Sequence, residues 1–290
     1  MNSARLKEIA LSAGASAAGI APAADLPELD RFSCAVDAVP PGLSYLRRDV
    51  PKRRSIRNWY SGARSVLVCA FRYWTPEMDY AAELERAGEL LTYLKNTGRK
   101  AYQPALLARA GAKLSRYVLC RDYHAAVKEK LLAMLEEIRR AKPFVEGKVF
   151  CDTSPVLEKE LARLAGLGFR GKNTLLLSKE LGSYFFIGGI ALNLDAEPDS
   201  PAAGSCGSCG LCQKACPTGA LKAGALDASL CLSYWTTQAK QEIPPDLAAK
   251  NTGWAYGCDV CQEACPYNSL KKPYDLPRGE GKSSFGGYAF

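Results

Sequence analysis

Apolar and polar positions along the first two-thirds of the chain follow two different periods. Leu6, Ile9 and Ala10 recur at helical spacing and Gly14 stops the turn, which predicts a helix over residues 4–13. The run ARSVLVCAF (63–71), apolar without a break from Val66 to Phe71, reads as a buried strand. Helical stretches are expected at about 81–95 and 104–119, followed by the amphipathic helix DYHAAVKEKLLAMLEEIRRA. GKVFCD (147–152) predicts a strand. SPVLEKELARLAG predicts a helix with Ser154 as cap, Pro155 in its first turn and a stop at Gly166. TLLL and SYFFIGGIALNL read as strands paired around a turn at SKELG. The alternation predicts a mixed α/β (α+β) domain over residues 1–196.

DAEPDSPAAG has the composition of a linker. Beyond it cysteine density rises and helical periodicity weakens, so residues 197–290 form a second expected domain, ending in the glycine- and serine-rich tail PRGEGKSSFGGYAF.

The 290 residues are enough for a substantial core, and 48% hydrophobic with 23% charged residues suits a soluble globular protein. No run approaches the roughly 18 apolar residues of a membrane helix, so no membrane partner is expected. The N-terminus MNSARLKEIALSAGASAAG does not read as an export signal, which predicts a cytoplasmic protein. In that compartment twelve cysteines argue against a disulfide framework. The net charge of +8 admits either a solvated basic surface or an anionic partner, nucleic acid or a phosphate-bearing cofactor. Lys95, Arg99, Lys100, Arg109, Lys113, Arg116 and Arg121 concentrate that charge.

The cysteines are more specific. CGLCQKACP (209–217) and CDVCQEACP (258–266) are an internal repeat of the two-cluster ferredoxin type. In such runs three cysteines hold one cluster, and the cysteine before proline crosses to the other. Cys206, Cys209 and Cys212 therefore join Cys265, while Cys216 joins Cys258 and Cys261. The second run has Ala255 where the first has Cys206, and Cys231 is the cysteine placed to supply the missing ligand. Eight thiolates then complete two [4Fe–4S] sites. Two structural zinc sites are the competing reading. Cys34, Cys69, Cys120 and Cys151 read as small buried hydrophobes.

Two clusters need an electron acceptor, and the preceding 195 or so residues are where it belongs. GLGFRGKN follows a helix instead of a strand and fails as a dinucleotide fingerprint. His124, the one histidine, sits in RDYHAAV; Val127 stands where a cobalt-ligating Asp-x-His-x-x-Gly motif needs glycine, so a structural histidine at a helix start is expected.

DTSPVLEKELARLAGLGFRGKN, GSYFFIGGIALNL, RDYH, CGSCGLCQKACPTGAL, CLSYW and YGCDVCQEACPYN together resemble the epoxyqueuosine reductase family, from the N-terminal helix to about Asn268. The resemblance implies a flavin-reductase-like, cobalamin-binding domain followed by a ferredoxin-like domain with two [4Fe–4S] clusters. It implies reduction of epoxyqueuosine to queuosine in tRNA, with Asp152 as proton donor to the departing oxygen. Asp152 ends a strand just before a helix start, where side chains face a cleft; acting as an acid at neutral pH would require burial to outweigh the nearby helix N-terminus. Arg53 in PKRRS matches a family arginine near the corrin. Ser115, Leu176, Ile187 and Ile190 fall in segments that line it, and Ser233 in CLSYW is assigned to the same cofactor; core packing is the competing role for the apolar three.

Family members commonly continue past the clusters into a helical-repeat domain that helps hold tRNA. Here the chain ends soon after Asn268, which implies a short form gripping tRNA through its basic face. A ferredoxin or flavodoxin is the expected electron donor and a monomer the expected state. Two other readings stand beside this one: a cobalamin-dependent reductase of another substrate, akin to reductive dehalogenases, and a non-catalytic two-cluster electron carrier.

Overall fold

The computed structural model describes residues 1–26, 28–86, 111–120 and 122–269. The first elements are α1 (Ser3–Ser12), β1 (Ala17–Pro22), α2 (Leu29–Asp37), 3-10 segments at Pro41–Arg47 and Val50–Arg54, α3 (Ile56–Trp59), β2 (Ser65–Arg72) and α4 (Tyr80–Arg86). There follow β3 (Lys113–Leu114), a 3-10 turn at Arg116–Leu119, α5 (Tyr123–Ala141), β4 (Gly147–Phe150), α6 (Glu158–Leu164), the short strands β5 (Phe169–Arg170) and β6 (Leu176–Leu177), and β7 (Phe185–Leu192). The cysteine-rich part holds α7 (Leu211–Ala215), β8 (Leu221–Lys222), β9 (Ala225–Leu226), α8 (Leu232–Thr237), α9 (Pro245–Ala248), β10 (Trp254–Tyr256) and α10 (Val260–Glu263).

A four-stranded antiparallel sheet in the order β1-β2-β7-β4 forms the centre. β2 explains its own unbroken apolar run, because both of its faces are buried. Leu67, Cys69 and Phe71 join Leu6 and Ile9 of α1 and Val127, Leu131 and Met134 of α5 in one core. Val66, Val68 and Ala70 join Leu161, Ala162 and Ala165 around α6 in the other. Gly19 permits the second packing: a Cβ there would collide with the carbonyl oxygen of Ala165 at the end of α6.

Several expectations change. The helix expected over 104–119 does not reach its end, since Lys113–Leu114 is a strand and Arg116–Leu119 a 3-10 turn. Residues 87–110, with Lys95, Arg99, Lys100 and Arg109, and also Arg121 and residues 270–290, lie outside the described residues. The helix expected from Ser154 starts at Glu158, leaving Ser154 and Pro155 in the loop before it. β6 pairs with β5 and β7 pairs with β2 and β4, so the expected β6–β7 pairing is limited to a Ser178–Gly182 bridge closing the turn.

The expected linker is pinned down. The Asp199 N–H donates to Ile20 O at 2.9 Å, Asp199 Oδ2 accepts from Ile20 N at 2.8 Å, and Oδ1 accepts from Lys7 Nζ at 2.7 Å. These bonds cover the open edge of β1, which would otherwise offer unpaired backbone groups. The cysteine-rich part also lends a strand back: β10 pairs in parallel with β3.

Candidate active site and cluster sites

The loop between β4 and α6 carries Asp152, whose φ of 56° places it in the left-handed region that most side chains avoid. Its backbone N–H donates to Glu158 Oε1 at 2.5 Å, tying the loop to the first turn of α6. Burial first, and then the Asp152 carboxylate, push Glu158 up to about 8. Asp152 Oδ2 accepts from the Tyr123 hydroxyl at 2.8 Å and lies 3.0 Å from His124 Nε2. His124 Nδ1 lies 2.9 Å from Asp122 Oδ1, and that same oxygen caps α5 by accepting from the His124 N–H at 3.0 Å. Tyr123 is stacked between the His124 ring, 4.0 Å away, and Phe186 of β7, 4.2 Å away. The Tyr123 hydroxyl and the His124 ring thus converge on Oδ2, while Oδ1 has no hydrogen-bond partner among the described residues. The Asp152 side chain is 56% exposed, so the burial expected to keep it protonated is not provided by this loop, and the contacts of Tyr123 and His124 with Oδ2 are what the site offers instead.

Arg53 lies on the same rim. Its Nη1 donates to Val156 O at 3.4 Å and its guanidinium covers the Phe32 ring at 5.1 Å. Burial, and then the Asp152 carboxylate, raise the Tyr45 phenol above its ordinary value, while Arg53 pulls the other way; the three side chains share one field. Lys159 Nζ donates to Thr174 O at 3.0 Å, joining α6 to the β5–β6 turn. Around the start of α6, Arg53 Nε and Asn173 Nδ2 are buried without a hydrogen-bond partner among the described residues. Both are donors only, so this region complements an acceptor-rich ligand, such as the peripheral amides and phosphate of a cobalamin.

The other expected cofactor contacts divide. Leu176 and Ile187 belong to the α6-side core, whereas Ile190 is 0% exposed in the opposite core beneath α5 and serves packing. The Ser115 hydroxyl is committed to Asp259 Oδ1 at 2.5 Å. Ser233 is the second residue of α8, and its backbone N–H faces the Cys231 sulfur.

The eight cysteines fall into two sets by their mutual electrostatics. Burial, and then Cys206, Cys212 and Cys209, push Cys265 up to about 11. Burial, and then Cys231, Asp259 and Cys216, push Cys258 up to about 12. Cys261 is raised by burial and by Cys258, Cys231, Asp259 and Cys216. The first grouping holds Cys265 with Cys206, Cys209 and Cys212, and the second holds Cys216 and Cys231 with Cys258 and Cys261, the memberships that the repeat leads one to expect of two ligand sets. Eight thiols divided four and four fit two [4Fe–4S] clusters.

Arg116, read from sequence as part of a basic face, instead joins the two parts of the chain. Its guanidinium lies 5.0 Å from the Trp74 ring, 5.1 Å from Tyr80 and 5.4 Å from Tyr184. Nη1 reaches Asp259 Oδ2 at 3.3 Å and Glu263 Oε1 at 2.7 Å, and its backbone N–H donates to Asp259 Oδ2 at 2.8 Å. Asp259 stands between Cys258 and Cys261 and is 1% exposed. Gly257, with φ of 67°, lets that run pass Ser115, whose Cβ a side chain at 257 would strike.

The sequence reading named Asp152 and Arg53 but missed Tyr123, His124, Asp122 and Glu158 as partners. RDYH was visible as a motif; what it touches depends on the left-handed turn 28 residues later.

A family profile described as "Epoxyqueuosine reductase QueG, DUF1730" matches residues 53–153, and one described as a 4Fe-4S double cluster binding domain matches residues 205–268. An epoxyqueuosine reductase of Leadbetterella byssophila is 32% identical over 248 residues, covering 85% of this chain and 78% of the relative. The structure of epoxyqueuosine reductase from Streptococcus thermophilus superposes with a TM-score of 0.73 at 26% identity, covering 94% of this chain and 68% of that one. An epoxyqueuosine reductase bound to an epoxyqueuosine-modified tRNA-Tyr stem loop gives 0.70 at 27% identity, covering 95% of this chain and 67% of that one. A reductive dehalogenase described as B12-dependent shares the fold alone, with 0.53 at 15% identity, covering 92% of this chain and 32% of that one. No helix among the described residues is long and apolar enough to cross a membrane.

Proposed function

The chain belongs to the epoxyqueuosine reductase family, and on that premise we propose that it converts epoxyqueuosine in tRNA to queuosine. The change consumes two electrons and two protons and releases one water, leaving a carbon–carbon double bond where the epoxide stood. Residues 1–196 are the catalytic part and 197–290 the electron-delivering part. The two quartets carry [4Fe–4S] clusters, fed by a ferredoxin or flavodoxin in the cytoplasm, and the protein acts as a monomer. Cobalamin, when bound, would supply a low-valent metal as the source of reducing electrons. Arg53, Asn173 and the segments around Leu176, Ile187 and Ser233 would hold it.

The observation carrying this reading is the presentation of Asp152. Tyr123 and His124 both engage Oδ2, so Oδ1 is the oxygen offered to substrate. As the carbon–oxygen bond breaks, Asp152 gives its proton to the departing oxygen. The carboxylate left behind is stabilised by the Tyr123 hydroxyl and the His124 ring N–H. A second proton is still required for the oxygen to leave as water. His124 supplies it: the Nε2–H bond breaks, a new O–H bond forms at Oδ2, and the ring is left neutral with its remaining proton on Nδ1 toward Asp122. A half-turn of the carboxyl group then presents that proton.

The test is turnover of epoxyqueuosine-bearing tRNA by anaerobically reconstituted protein, with nucleosides analysed by mass spectrometry. Queuosine is expected, and Asp152→Asn should lower kcat by about 10²–10⁴-fold while cobalamin and iron are retained. Fully loaded protein that forms no queuosine would end the proposal.

A further inference from the structure

The β5–β6 hairpin belongs to the first part of the chain, but its turn closes on the first cysteine run. The Lys172 backbone N–H lies 3.4 Å from Cys206 Sγ. The Lys172 ammonium donates to Gly207 O and to Cys209 O, each at 2.7 Å. Beneath it Phe169 and Leu177 pack with Cys265 and against Cys206 and Tyr267, and the Phe169 ring meets the Tyr267 ring edge-on at 5.4 Å. Two of the four sulfurs of the first quartet therefore rest on this hairpin. Among the described residues no carboxylate pairs with Lys172, so its charge stands uncompensated on the Cys206–Cys209 loop.

The second quartet is built differently. Between Cys258 and Cys261 stands Asp259, a buried carboxylate whose cation is Arg116. A four-thiolate [4Fe–4S] centre carries a net negative charge that grows by one on reduction. A nearby cation stabilises the reduced form more than the oxidised form, and a hydrogen bond to a ligating sulfur acts in the same direction.

We propose that Lys172 is a redox-tuning residue, its ammonium held on the Cys206–Cys209 loop to raise the reduction potential of the cluster bound by Cys206, Cys209, Cys212 and Cys265. This inference rests on the cluster ligand sets and not on the substrate, so a failure of the tRNA assay leaves it standing.

The experiment is an EPR-monitored redox titration of anaerobically reconstituted full-length protein, with iron and sulfide counted in each sample. Lys172→Gln should keep its iron and shift one of the two couples to lower potential, a three- to tenfold change in the oxidised-to-reduced ratio, or about 28–59 mV for one electron. The other couple should stay in place, and Lys172→Arg should titrate as the wild type. Two unmoved couples in fully loaded Lys172→Gln would overturn the proposal, as would two that move together. If Lys172→Gln sheds iron, Lys172→Met is titrated by the same criteria. Iron loss in both neutral variants with full loading in Lys172→Arg would assign Lys172 to holding the loop alone and overturn tuning.

Discussion

His124 Nε2 sits 3.0 Å from Asp152 Oδ2, joining the first turn of α5 to the left-handed turn after β4. The only histidine in the chain is therefore committed to the candidate acid, with Asp122 holding its other nitrogen. His124→Gln should bind cobalamin and iron normally and keep KM within about twofold, while kcat falls roughly tenfold or more. Added imidazole should restore part of the rate, an outcome that mere misfolding would not give. Unchanged kcat would remove His124 from proton supply.

Glu158 makes stability depend on pH. Its folded value of about 8 lies above the ~4.3 of an unfolded chain, so folding takes up a proton between those limits. The contribution is complete below about pH 4, declines as pH rises and is lost above about pH 8. Glu158→Gln imitates the protonated form and keeps an acceptor for the Asp152 N–H. Denaturant unfolding should show the wild type losing roughly 4 kcal/mol relative to Glu158→Gln between about pH 5 and 8.5. Parallel pH curves would mean that Glu158 is ionised throughout.

Arg116→Leu removes the cation beside a carboxylate that is 1% exposed. Breaking a buried pair from one side costs about 3 kcal/mol or more. Adding Asp259→Asn should recover part of that loss, because the orphaned charge goes with it. Unfolding free energies of the two single variants and the double variant measure the coupling; simple additivity would show that the pair is not coupled.

The crossover of ligands gives an arithmetic test. Cys265→Ser should lower iron from about eight to about four per chain, although Cys265 lies in the second repeat. Combining it with Cys206→Ser should leave that number unchanged, since both strike one site. Combining it with Cys258→Ser should remove nearly all the iron. Any other pattern would reassign the quartets.

The strands and helices that the sequence reveals are those set by local periodicity: the both-faces-buried β2, the amphipathic α5 and the glycine-ended α6. What it hides depends on partners far along the chain. β6 looks like a hairpin partner of β7 because the two are neighbours in sequence, yet its backbone bonds go to β5. DAEPDSPAAG has a linker's composition, but one aspartate in register with Ile20 docks it. Arg116 looks like surface charge until three aromatic rings and two carboxylates surround it. The double-cluster domain is legible because the spacing of its cysteines is itself the chemistry. The proton-handling group was half legible: Asp152 came through family likeness, and its four partners Tyr123, His124, Asp122 and Glu158 needed coordinates.

The parallel pairing of β10 with β3 means that the iron-carrying segment is no detachable cartridge. Excising residues 205–268, or exchanging them for another ferredoxin, would take away Trp254, buried on β10 and covered by Lys113, and would leave β3 without its partner strand. The shared sheet ties the cysteine-rich run directly to the first part of the chain. Any graft that seeks a better electron supply must carry both strands.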